Sequence, residues 1–583
     1  MTYDLLIRGG TVVDGTGAPA RTADVAVRDG LIVEVGRVDG AALRTIDADG
    51  LTVTPGFVDV HTHFDGQATW DPHLTPSSWH GVTTAIMGNC GIGFAPVHRD
   101  RHDFLIELME GVEDIPGSAL AEGINWEWET FGEYLDALER MPRAVDVGTQ
   151  IPQAALRAYV MGDRALDAPT ADDLTAMSRA VTDGLHAGAL GMSFGRTAGH
   201  RSASGQPVPG TYSEEDELVA LMGAMAKAGT GVLQVVPAGV GGEMGGDQRH
   251  SIDAEVEWIS RLGRQFGIPL TFLAMVNEQD PHDWQRWFAD VREANAAGAN
   301  VRPQVASRAF GMLMGHQSRM NPFRHRPSYR ALMELPLEKR VEVLRDPELK
   351  ARILAETPDA GDGPSADRLN RHTFKRVYPL GDRLDYEPSA ENSIAAIAER
   401  ERRDPWEVTY DTLLGAEGRE FLLFPLLNYA GNDYQHLHDM MSDPLSLQGL
   451  GDAGAHCGIV CDASMTTYLM SYWVRDRTRG PRIPLETAVH RLTGDPAAFY
   501  GLGDRGVLAR GRRADINLID LDNLGLHYPE RVEDLPAGAG RLIQRSDGYV
   551  ETLVLGQTIV DEGELTDNRP GGLVRGARPA AAA

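Results

Sequence analysis

Between residues 3 and 54 apolar and polar side chains alternate in short runs, as in Ala23-Asp24-Val25-Ala26-Val27 and Leu31-Ile32-Val33-Glu34-Val35. Period two is the signature of half-buried strands. Asp29-Gly30 between these runs is a hairpin signal, because both residues tolerate positive φ. An antiparallel β segment is predicted here. From 55 to 503 the rhythm changes to short apolar runs separated by stretches of helical period, with strands expected at 57–63, 83–88, 145–151, 189–194, 231–236, 269–275, 301–306 and a last one ending at Asp452. Strand and helix alternating through these runs predict an α/β fold of the (β/α)8 TIM barrel type. Within it, Leu218, Val219, Leu221, Met222 and Met225 recur at helical spacing behind Ser213 and Asp216, a capping-box spacing.

The stretch 307–386 breaks the rhythm with segments such as Phe323-Arg324-His325-Arg326-Pro327 and reads as a lid-like insertion over the barrel mouth. Alternation returns beyond Gly503, at 505–519 and 549–560. The two chain ends, 1–54 plus 504–570, are therefore expected to build one small composite β-sandwich domain beside a barrel of 55–503. Residues 571–583, closing on a run of alanines, are expected to be a disordered tail.

Composition narrows the function. A formal charge of −29 over 583 residues, with no basic stripe, repels phosphate backbones and argues against nucleic acid. No apolar run reaches the roughly 18 residues of a membrane span, and the first residues lack a signal-peptide pattern. The expectation is a cytoplasmic protein with no membrane partner, free to form a homo-oligomer. Its 3 cysteines, Cys90, Cys457 and Cys461, are too few for a disulfide framework and fit a reducing compartment.

Candidate chemistry begins at Phe57-Val58-Asp59-Val60-His61-Thr62-His63, introduced by Pro55-Gly56. Histidines two apart on a strand share a face and can converge on one ion. They fall at the carboxyl end of a predicted buried strand, where barrel enzymes carry their chemistry.

Several segments resemble the amidohydrolase superfamily: Leu6 to Gly15, the Pro55-Gly56 to His63 run and Gly511 to Asp515. Gly88-Asn89-Cys90-Gly91, Thr130 to Glu139 and Gly188 to Ser193 resemble its N-acyl-D-amino-acid deacylase (D-aminoacylase) branch. The resemblance implies a metal-dependent hydrolase of a C–N amide bond in a small-molecule substrate. It implies His61, His63 and Cys90 as metal ligands, and Asp452 as a ligand and as the base that takes a proton from metal-activated water and returns it to the leaving nitrogen. A thiolate with imidazoles suits Zn²⁺, although another divalent metal is compatible.

The chain departs from that branch at the fifth and sixth strands. Val232 to Pro237 and Leu270 to Met275 carry no histidine, and the third strand ends Ile151-Pro152-Gln153 where the branch has Gly-His. One ion rather than two is expected, held by His61, His63 and Asp452 with Cys90 bound or nearby. Alternatively His200, Gln234, Asn277 or Gln304 substitutes, the amides being better suited to orienting substrate, or the protein is a noncatalytic binding barrel. Cys457 and Cys461 read as packing residues, and His456 as a candidate support for the site. Arg196, Arg201 and Arg308, with His200 and Gln234, are the candidate substrate-binding residues, the arginines for a substrate carboxylate. With the ligand set altered, a cyclic amide, lactam or imide is an alternative substrate.

Overall fold

The computed structural model describes residues 2–241, 251–359 and 373–576. Parallel strands follow one another in chain order in two sheets. One joins Phe57–Asp59, Val82–Met87 and Asp146–Thr149, and the other runs from Ile151–Pro152 through Gly191–Gly195, Val232–Val236, Pro269–Leu273 and Asn300–Val305 to Leu447–Gln448. Val82–Met87 and Val232–Val236 are buried at every residue, as strands covered by helices on the outside and by each other within must be.

A closed ladder, as the barrel expectation implied, is not formed. Gln150 interrupts the third strand: its N–H reaches back to Met87 O at 3.0 Å and its side chain donates to Asn89 Oδ1 at 2.8 Å. The last and first strands meet through an isolated bridge, Thr62 to Ala453, beside which His63 N–H reaches Ala453 O at 2.7 Å. The first strand ends at Asp59 and the last at Gln448, so His61, His63 and Asp452 lie on the loops beyond.

Three other expectations change. Ser213 does not cap the helix Glu215–Ala228; the N-cap is Glu214, because the Ser213 hydroxyl is taken by Gln153 Nε2 at 2.9 Å. Glu215, Asp216 and Glu217 still place negative charge at that helix's positive end. The insertion does not finish at 386. Phe310–Met314 pairs antiparallel with Leu422–Leu427, and a separate core of Phe323, Tyr329, Leu344, Ile353, Phe374, Tyr410 and Leu413 fills the space between. Its near end packs on the loop after Asp452, with Arg319 N–H on Gly458 O at 2.9 Å and Leu313 N–H on Ile459 O at 2.8 Å. Finally, residues 571–576 are placed along the third strand rather than in a free tail: Val147 N–H donates to Gly572 O at 3.0 Å and Val574 N–H to Val147 O at 2.7 Å. They satisfy backbone groups at the edge where the two sheets part. Residues 577–583 lie outside the described residues.

The chain ends share one nine-stranded sheet, not two separately hydrogen-bonded layers. Thr52–Pro55 pairs antiparallel with Ile516–Ile519, and the expected hairpin turns at Asp29 and Gly30, with φ of 52° and 72°. The loop leading into this sheet is tied to the third barrel strand by Asp146, which accepts Arg505 at 2.6 Å, Arg513 at 2.5 Å and Gly572 N–H at 2.7 Å. Both Asp146 and Arg505 side chains are almost fully buried. Asp146→Ala removes the buried partner shared by Arg505 and Arg513, which keep Asp504 and Asp515, and is expected to cost about 1–3 kcal/mol, read as the shift of a chemical-denaturation midpoint.

Candidate metal centre

His61 and His63 leave the first strand on extended backbone, which puts both rings on one side, their centroids 5.4 Å apart. Three main-chain N–H groups, donating to one side chain and two carbonyls, fix the segment. His61 N–H donates to Asp59 Oδ1 at 3.1 Å, Thr62 N–H to Ile86 O at 3.0 Å and His63 N–H to Ala453 O at 2.7 Å.

Cys90 is placed by the glycines around it. Gly88 and Gly91 have φ of 78° and 75°. A Cβ on Gly88 would fall 2.3 Å from Gln150 O, and one on Gly91 would fall 2.4 Å from Gly195 N. Only glycine lets this loop lie so close to the third and fourth strands. Cys90 is itself left-handed, φ 56°, a conformation that a side chain adopts when its surroundings enforce it. Here Cys90 N–H donates to Gln234 Oε1 at 2.9 Å and Gly91 N–H to Ser193 Oγ at 3.0 Å. Asp452 is held the same way, φ 42°, between Gly451 and Gly454.

These loops bring the four side chains together. His61 Nε2 lies 3.2 Å from Cys90 Sγ and 3.3 Å from Asp452 Oδ1, and His63 Nε2 lies 3.8 Å from the same oxygen. The donor atoms of His61, His63 and Cys90 all lie within 4.8 Å of one another. His61 Nδ1 is engaged at 2.6 Å by Gln304 Oε1, which leaves Nε2 free to act as a lone-pair donor.

Burial governs the charges. It pushes His61 down to about 4 and His63 well below the usual imidazole range, so both rings are neutral donors near pH 7. It raises the Cys90 thiol, and the nearby Glu113, Asp452 and Asp65 carboxylates raise it further. Burial likewise lifts Asp452, followed by Asp462 and Asp59. Neutral imidazoles offering lone pairs, beside acids whose ionised forms a nearby positive charge would favour, suit a divalent cation. The donor set of thiol, two imidazoles and carboxylate fits Zn²⁺.

The other sequence candidates divide. Gln234 is at the site, but holds the Cys90 loop. His200 is near enough that charge on it would lower His61 and His63, and its own ring is pushed down to about 4 by burial. Arg196 is not available to a substrate carboxylate: Glu255 takes it bidentately at 2.7 and 3.0 Å. Arg308 is buried and paired with Asp462 at 2.9 Å, its guanidinium 4.2 Å from the Tyr386 ring centre. Arg201 is exposed and donates to Gly205 O. Asn277 caps its own turn through Asp280 N–H at 2.9 Å, and Gln153 is spent on Ser213 and Glu217. Cys457 and Cys461 are buried within the core, whereas His456 stacks edge-on against Phe310 of the insertion.

Glu113 is the residue that sequence reasoning missed. Its Oε1 lies 3.4 Å from His63 Nδ1, and its Oε2 lies 3.4 Å from His456 Nε2. The available signal was an acid on an apolar helix face, since Leu105, Leu108, Met109, Val112 and Glu113 are the buried residues of His102–Glu113.

A sequence profile of the Amidohydrolase family matches residues 44–560, and the chain belongs to that family. It is a hydrolase acting on C–N amide bonds. The N-acyl-D-aspartate deacylase of Alcaligenes xylosoxydans xylosoxydans is 27% identical over 579 residues, spanning 97% of this chain and 94% of that protein. Among solved structures, D-aminoacylase, described with a binuclear metal centre showing one-metal activation and second-metal attenuation, superposes with a TM-score of 0.64 at 22% identity, over 98% of this chain and 99% of that one. The N-acyl-D-glutamate deacylase from Bordetella bronchiseptica, solved with zinc and a phosphonate mimic of the tetrahedral intermediate, superposes at 0.63 and 24% identity over 99% and 100%. These likenesses place the fold in the TIM barrel class.

His61→Ala is expected to lower the zinc content of protein purified without chelators to below about a tenth of wild type, because it removes the donor closest to both Cys90 and Asp452. Elemental analysis of the purified protein measures this, and wild-type zinc content in the variant would refute the assignment.

Proposed function

We propose that the protein is an N-acyl-D-amino-acid deacylase-like hydrolase working with one divalent cation, Zn²⁺ by preference, held by His61, His63, Cys90 and Asp452. The observation that carries this reading is the convergence of those four buried side chains, with the far nitrogen of His61 tied to Gln304. Bound there, the cation supplies Lewis acidity to the attacking water and to the amide carbonyl.

Asp452 does the proton work. Its carboxylate accepts a proton from the water as the C–O bond forms, and delivers it to the nitrogen as the C–N bond breaks, leaving an amine and a carboxylic acid whose remaining proton passes to solvent or to the amine at neutral pH. A base must hold that proton briefly and release it, and Asp452 is the carboxylate whose Oδ1 lies 3.3 Å from His61 Nε2 and 3.8 Å from His63 Nε2, at the point where the site's donors converge. Gln304 holds the His61 ring, and Gln234 holds the Cys90 loop, so both amides act on the ligands.

A second reading, hydrolysis of a cyclic amide, lactam or imide, is favoured by one observation. Arg196 and Arg308, two of the three arginines expected to anchor a substrate carboxylate, are already paired with Glu255 and Asp462. Cyclic amides do not require that anchor.

Asp452→Asn, assayed at saturating zinc, is expected to lower kcat by about 10²–10⁴-fold. The substrate panel is N-acyl-D-aspartate, N-acyl-D-glutamate, N-acetyl-D-methionine and five- and six-membered cyclic amides, with amine or ring-opened product measured. No turnover of any member by zinc-loaded wild type would overturn both readings.

A further inference from the structure

The helix His102–Glu113 ends on a carboxylate that the chemistry above leaves unused. Glu113 is 1% exposed, and burying a carboxylate without hydrogen-bonded partners is costly. Its two oxygens face two imidazoles at 3.4 Å each, His63 Nδ1 and His456 Nε2. Neither His63 Nδ1 nor Glu113 Oε1 makes a hydrogen bond among the described residues, so each is an unpartnered buried polar atom facing the other. The opposite nitrogen of His63 is the one directed at Asp452. The helix end is itself anchored: Asp114, φ 55°, accepts Gly458 N–H at 3.1 Å and pairs with Arg319 of the insertion, and the Glu113 carbonyl accepts His456 N–H.

We propose that Glu113 is a positioning residue of the metal centre. Its carboxylate accepts the Nδ1–H of His63 and the Nε2–H of His456. This fixes His63 in the tautomer whose Nε2 lone pair faces Asp452 and Cys90, and it stops the ring from turning. The inference rests on reading His63 as a ligand. A carboxylate behind a ligand histidine orients the ring and raises its basicity. His61 has only a neutral amide, Gln304, in the corresponding place. The two imidazoles are therefore supported unequally, His63 by a carboxyl group and His61 by an amide. The same contact joins the centre to the loop after Asp452 and, through Asp114 and Arg319, to the insertion.

The test uses full-length protein stripped of metal and titrated with zinc against a competing chelator. Glu113→Gln keeps the shape but replaces the carboxyl group with an amide, and zinc affinity is expected to fall about 10- to 100-fold. Excess zinc should restore kcat, with KM for substrate unmoved, and the zinc-free melting temperature should stay near wild type. Unchanged affinity would overturn the proposal, as would an affinity loss matched by an equal loss of zinc-free stability, which marks a structural role. Should Glu113→Gln fail to fold, Glu113→Asp withdraws the oxygens while keeping the carboxyl group and is expected to give a smaller affinity loss; no loss there overturns the proposal equally. Wild type that takes up no zinc removes the functional reading and this inference together, whereas zinc uptake insensitive to Glu113 removes this inference alone.

Discussion

The interaction on which the rest depends is the crowding of buried acids and neutral imidazoles at the strand ends. Cys90, Asp452, Glu113 and Asp65 are almost wholly buried, and together they resist ionisation. Such an arrangement is unfavourable by itself, since each buried charge loses its hydration and like charges repel. A divalent cation reverses both terms: it stabilises the thiolate and the carboxylates, while the imidazoles, held neutral by the same burial, already offer lone pairs.

Much of the surrounding architecture serves to keep that crowding in place. Gly88 and Gly91 allow the Cys90 loop to touch the third and fourth strands, where a side chain would collide with backbone. Gln234 and Gln304, from the fifth and seventh strands, hold a backbone N–H and a ring nitrogen. The insertion packs on the loop that follows Asp452, and Asp146 ties the third strand to the residues entering the terminal sheet. Positive φ at Cys90, Asp452 and His456 is the mark of this enforcement. Local preference is overruled where donor atoms have to meet.

Signals confined to a few neighbouring residues were legible in advance. The period-two runs and Asp29-Gly30 predicted the terminal hairpin, the apolar runs predicted the order of the parallel strands, and the His61-x-His63 spacing predicted two rings on one face. What failed were readings that depended on a distant partner. Arg196 and Arg308 looked available for substrate because Glu255, 59 residues on, and Asp462, 154 residues on, were invisible from where they stand. Ser213 lost its capping role to Gln153, and the insertion continued past 386 because the strand that closes it lies at Leu422–Leu427. Glu113 carried a faint signal, an acid on an apolar face, which acquires meaning only beside His63 and His456.

The sequence alone determined the alternation of strand and helix, the β character of both ends, the family and three of the residues that converge at the centre, His61, His63 and Asp452, with Cys90 alongside. It could do so because backbone period, glycine placement and short ligand motifs act over a few residues. Tertiary structure alone decided which charges are free and which are spent, that Gln304 and Glu113 stand behind the two histidines, and that the strand ladder is interrupted at Gln150. Those outcomes depend on the approach of groups tens to hundreds of residues apart, and on the loss of water between them. Burial changes the ionisation of a side chain without changing anything in the sequence around it.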